Sequence, residues 1–138
     1  MFQYSQLYTT MVQQVTNGIK ISVKTNFEGT CYRNDRVFFS FSYSITIENQ
    51  SNDSVQLVSR HWKIFDALKN LEIIEGEGVI GEKPVLAPKK SYTYQSYCNL
   101  TSPTGAMRGF FNMINFTNTS NFKVQIPSFQ LTVPAILN

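Results

Sequence analysis

A single imidazole, His61, lies two residues after Ser59 and five before Asp66. On a strand, positions two apart point the same way, so Ser59 and His61 could supply a nucleophile and its base. A relay also needs an acid to orient the imidazole. Asp66 falls on the other side of the pleat unless the strand bulges, so no triad is expected. One imidazole also excludes a His-based metal cluster within one chain. His61 therefore reads as a polar surface or interface residue, and with Arg60 it is a candidate for partner binding. Arg60 is read as laying its aliphatic stem along the sheet, with Trp62 beside it as a core aromatic.

A second chemistry is suggested by Gly76-Glu77-Gly78-Val79-Ile80-Gly81, a formal G-x-G-x-x-G. Such loops bring bare backbone amides close to a phosphate, which makes Gly76, Gly78 and Gly81 candidate cofactor-binding positions. In a dinucleotide site the motif opens a helix whose amino end holds the pyrophosphate. Here it runs into Glu82-Lys83-Pro84-Val85-Leu86-Ala87-Pro88, where two prolines oppose a helix. Glu75, Glu77 and Glu82 would also repel a phosphate. Turn or bulge glycines are the better reading. Glu72, Glu75, Glu77 and Glu82 could gather around a hard cation, but four glutamates at a loop-rich edge read as a solvated rim. Neither metal nor cofactor is expected.

These residues must be positioned by strands. From Ile19 the apolar period is two, and from Arg36 to Asn49 it becomes unmistakable. Val37, Phe39, Phe41, Tyr43, Ile45 and Ile47 alternate with residues that are mostly Ser and Thr. Val55 to Phe65 is a further strand, with Val58, Arg60, Trp62 and Ile64 on one face and Leu57, Ser59, His61 and Phe65 on the other. Leu71–Ile74, an edge over Val79–Leu86, Ser91–Leu100, Gly105–Phe116 and a strand from Phe122 broken at Pro127 follow. Glu28-Gly29-Thr30 and Asn34-Asp35 read as turns. The first seventeen residues show no clear period and suggest a loose arm or short helix. Short strands with turn signals roughly every 8–12 residues predict an all-β immunoglobulin-like or fibronectin type III-like sandwich of two antiparallel sheets. Residues 1–17 would form an arm and 18–138 the sandwich domain.

Composition bounds the partners. At 42% hydrophobic and 15% charged, the chain can build a core and is not disordered. The net charge of +3 is spread out, with no basic run beyond Lys89-Lys90, so no nucleic-acid groove is expected. No apolar run is long enough to span a bilayer, so no membrane partner is expected either. Cys31 and Cys98 are not placed to brace two sheets and read as free thiols. With no charged-then-apolar leader opening the chain, the expected compartment is the cytoplasm.

Several blocks resemble the ApaG family: Tyr43–Asn49 (YSITIEN), Val55–Trp62 (VQLVSRHW), Gly76–Pro84 (GEGVIGEKP) and Leu86-Ala87-Pro88. Thr101–Gly109 (TSPTGAMRG) and Ile126–Leu131 (IPSFQL) complete the pattern, which covers the chain from about Ile19 to Val133. The resemblance implies a fibronectin type III-like sandwich, a glycine motif discussed as pyrophosphate-binding without an established activity, and a link to bacterial cobalt and magnesium resistance. It also implies protein interaction, since related domains occur in F-box proteins and in a polymerase-interacting protein. The segment Asn115–Asn121 is Asn/Thr-rich where an acidic turn is expected. The leading expectation is a non-enzymatic module that binds a protein, possible as a homo-oligomer. The alternative is nucleotide or pyrophosphate binding through the glycine loop.

Overall fold

The computed structural model describes residues 10–134, which form nine strands and, among the described residues, no helix. The strands are β1 (Thr10–Thr16), β2 (Ile19–Arg33), β3 (Arg36–Asn49), β4 (Val55–Asp66), β5 (Glu72–Glu77), β6 (Val85–Leu86), β7 (Ser91–Leu100), β8 (Thr104–Asn115) and β9 (Asn121–Thr132). One antiparallel sheet has the order β1-β2-β3-β7. The other runs β5-β4-β8-β9, with the short β6 paired to the start of β4. This is the immunoglobulin-like sandwich that the period-two pattern predicts.

Between the sheets lie the alternate residues of each strand. Ile19, Ile21, Val23, Phe41, Ile45 and Ile47 are buried from the first sheet, and Leu57, Trp62, Met107, Phe111, Val124 and Leu131 from the second. Each such side chain stabilises the fold by roughly 1.5–3 kcal/mol relative to exposure. Tyr43, Trp62 and Phe129 tie the two layers together as an aromatic triangle with ring centroids 5.6–5.8 Å apart. Tilted and edge-on geometry suits the charge distribution of these rings.

Four local readings are corrected by the structure. Thr10–Thr16 is neither loose nor helical; it pairs along β2 through the tight turn at Asn17-Gly18. Its weak period reflects an edge strand of which chiefly Val12 packs on the core. Residues 1–9 of the expected arm lie outside the described residues. Glu28-Gly29-Thr30 is no turn but a bulge inside β2, where the register shifts between Phe27 and Gly29. Asn34-Asp35 does make the β2–β3 hairpin turn, both residues at positive φ. Only Val85–Leu86 of the expected 79–86 edge pairs as a strand.

The fourth correction reaches the site. Leu57 is buried on the same side as Trp62, because β4 bulges between Leu57 and Ser59. The extra residue, Val58, resets the alternation. A similar irregularity keeps β9 continuous through Pro127: its register against β8 shifts between Met107 and Gly109, so the ladder skips the residue that has no N–H.

Candidate functional site

Beyond the bulge, β4 sends Arg60, Trp62 and Ile64 inward and Ser59, His61, Lys63 and Phe65 outward. The two partner-binding candidates, Arg60 and His61, therefore stand on opposite faces of one sheet, and each belongs to a different site.

Outside, His61 is held twice. Its Nδ1 lies 2.6 Å from Glu75 Oε2, and its ring stacks on Phe110 at 4.8 Å and 9°. Phe110 carries the Lys123 ammonium 4.4 Å from its centroid, so cations or cation-forming groups approach it from the strands on both sides. Lys63 stands directly across from Arg108, whose guanidinium sits 5.2 Å from the Phe65 ring. Like charges in a cross-strand pair oppose each other. Among the described residues no carboxylate forms an ion pair with Lys63, Arg108 or Lys123. A shallow hollow lined by His61, Lys63, Arg108, Phe110, Gln125 and Ser128 opens on this face.

No nucleophile relay forms there. Ser59 Oγ accepts from Asn112 Nδ2 at 2.9 Å, and among the described residues no hydrogen bond joins it to His61. The acid beside the imidazole is Glu75, across the ladder, and not Asp66. Asp66 instead accepts hydrogen bonds from Thr101 N and Oγ1, Ser102 Oγ and Leu68 N at 2.7–3.2 Å. Burial by itself raises its pKa, but these four donors outweigh it and hold the carboxyl below its ordinary value.

Inside, the glycine motif folds as a plug at one end of the sandwich. Gly78 N donates to the Val58 carbonyl at 2.7 Å, so the β4 bulge anchors the loop. Val79 and Glu82 exchange two backbone hydrogen bonds of 2.8 Å across Ile80-Gly81, both at positive φ. Arg60 Nη1 donates to the carbonyls of Glu77 and Gly78 at 3.0 and 2.7 Å. The amides of Gly78, Val79 and Glu82 are thus consumed within the protein, which leaves the motif poorly provided as a phosphate cradle. Gly76 packs under the Arg60 guanidinium, and a Cβ at Gly78 would stand 2.3 Å from the Glu82 carbonyl oxygen.

Behind this plug lies a cavity of about 330 Å³ whose walls include Tyr43, Arg60, Trp62, Ile74, Val79 and Tyr94. Tyr43 and Tyr94 are both pushed above the usual phenol range by burial, while the charge of Arg60 works the other way. Cys98, on the same wall, is pushed up to about 11 by burial and by the nearby carboxylates of Glu72 and Asp66. Sequence reasoning placed Arg60 on the face of Trp62 but missed this cavity, because its outer wall is the glycine loop folding back onto Arg60 and the Val58 carbonyl. Glu72 lines the cavity, whereas Glu75 and Glu77 pair with His61 and Lys83. Among the described residues no three metal-ligating side chains gather around one point.

Comparison with known proteins agrees with this architecture. The family model described as the ApaG domain matches residues 30–115. A Methylocella silvestris protein named Protein ApaG is 40% identical over 126 residues, spanning 91% of this chain and 96% of its own length. An X-ray structure of a structural-genomics target superposes with a TM-score of 0.81 at 33% identity, covering 87% of this chain and 90% of that one. A Bordetella pertussis crystal structure described as an ApaA protein gives a TM-score of 0.75 at 30% identity, with 90% and 98% covered.

Proposed function

The chain belongs to the ApaG family, and from that premise we propose that it is a non-enzymatic module that binds a protein through the outer face of its β5-β4-β8-β9 sheet. The partner presents an acidic surface. One observation carries this reading: Lys63 and Arg108 face each other across the ladder, beside His61 and Lys123, and among the described residues neither has an ion-paired carboxylate. Such an arrangement costs stability in the free protein and is repaid by an anionic surface. A flat face with charges at fixed spacing suits a protein better than a nucleic-acid strand. Phe110 is already engaged by His61 and Lys123, which leaves little free ring for a stacking base.

In this reading the protein works in the cytoplasm with both thiols reduced. The family link to cobalt and magnesium resistance then runs through the partner and not through an ion held by this chain. Affinity capture of the tagged protein from its own cells, beside Lys63→Glu/Arg108→Glu, tests the proposal. An acidic protein should co-purify with the parent, release as salt is raised, and be absent with the folded double variant. Identical captures from both proteins would overturn it.

A further inference from the structure

The interior cavity is independent of the outer face, and it has the marks of a site for a small molecule. Its volume of about 330 Å³ lies in the range of ligand pockets. Its walls are largely aromatic and aliphatic, with Tyr43, Trp62 and Tyr94 as flat surfaces and Ile74 and Ile80 toward solvent. Two polar features stand out against them. Among the described residues Arg60 has no ion-paired carboxylate, and its charge is met only by two backbone carbonyls. Tyr94, 6% exposed, has a buried hydroxyl with no hydrogen-bond partner among the described residues. A guanidinium without a carboxylate and a hydroxyl without a partner, both lining an aromatic pocket, suit an anionic acceptor attached to a flat apolar body.

The loop over the cavity adds a third observation. Ile80 is β-branched and yet sits at φ 41°, a conformation that costs such a residue free energy, and it is 58% exposed at the mouth. Strain of this kind persists where the surroundings impose it, and it gathers at ligand clamps. The loop rests on Arg60 and on the Val58 carbonyl, so its position is coupled to whatever the guanidinium binds.

We propose that the cavity behind the Gly76–Gly81 loop binds a small aromatic carboxylic acid, with its carboxylate on Arg60 and Tyr94 and its ring against Trp62. The glycine motif is then a lid over this pocket and not a cradle for phosphate. Glu72, at the exposed rim, disfavours more highly charged anions such as phosphate.

Trp62 is the chain's only tryptophan, so its fluorescence reports on the cavity without labelling. The full chain is titrated with benzoate, and separately with acetate, benzyl alcohol and inorganic phosphate at matched ionic strength. Benzoate should change Trp62 emission saturably, while the other three should not. Arg60→Gln should weaken benzoate binding by about tenfold or more, as expected for a lost charge-assisted hydrogen bond. Tyr94→Phe, which keeps the packing of the ring, should weaken it about threefold even if Arg60→Gln fails to fold. No saturable change with benzoate, equal responses to acetate, benzyl alcohol or phosphate, or undiminished benzoate binding in Tyr94→Phe would each overturn the proposal. Since neither variant touches Lys63 or Arg108, loss of partner capture and loss of benzoate binding remain separate results.

Discussion

At the scale of single residues, the glycine motif divides into positions with different demands. Gly78 has φ 61° and no room for a Cβ, so Gly78→Ala should cost about 2 kcal/mol or more without any ligand present. Gly81 has φ 80° but open space around it, so Gly81→Ala should cost only about 1 kcal/mol. Ile80→Asn should instead stabilise by about 1 kcal/mol, because Asn tolerates positive φ where a β-branched residue does not. Thermal melting of the three variants gives the order directly. Asp66 sets an acid-side dependence. Its folded pKa lies below the ordinary value, so its contribution is complete above the unfolded pKa of about 4 and is lost as pH falls through the folded value. Urea midpoints measured from about pH 6 to pH 2 should fall less steeply in Asp66→Asn than in the parent. Gly78 and Gly81 as turn residues were legible from the prolines that follow them, whereas Gly76, expected in a turn or bulge, lies within β5 paired to Arg60. The inward course of Leu57 was not legible, since it depends on one extra residue at Val58.

Among the elements, regular alternation was readable and, apart from the break at Pro127, its interruptions were not. From Phe41 to Ile47 the β3 pattern survives intact, because two neighbouring strands hold its register. β2, β4 and the β8–β9 pair each carry a register shift, and each shift puts a residue where simple alternation would not. Asn49 shows how the β3 end is tied down. Fully buried, it donates through Nδ2 to the carbonyls of Asp53 and Leu86 and accepts from Ser51 N and Oγ. Asn49→Ala leaves several of these groups unpaired at once, and chemical denaturation should show a loss of about 3 kcal/mol. The Asn/Thr-rich segment before β9 is a local turn of the same sort, organised by the side-chain oxygens of Asn115 and Asn118. The thiols report on the first sheet. Cys31 and Cys98 are free, on the strands flanking β3. Cys31 should react with a thiol reagent in the folded protein. Cys98, buried and pushed up to about 11, should react only on unfolding.

For the whole molecule, the family match over residues 30–115 is shorter than the unit that buries the core. That span omits Ile19, Ile21 and Val23 of β2 and Val124, Ile126, Phe129 and Leu131 of β9, all buried. A 30–115 fragment should therefore lack a cooperative melting transition. The sandwich itself was legible because burial writes a period of two along much of each long strand; the outer face was not, because the Lys63–Arg108 pairing depends on how β4 and β8 align. That face is where the account is most exposed to test. The direct measurement is an amide proton–nitrogen correlation spectrum of the labelled protein, recorded with the captured partner and then with ATP or pyrophosphate in magnesium. The account predicts partner-induced shifts centred on His61, Lys63, Arg108, Phe110 and Lys123, with the Gly76–Gly81 amides unmoved by either phosphate compound. Shifts from the partner or from ATP that centre on Gly76–Gly81 and leave the Lys63–Arg108 face unchanged would contradict it.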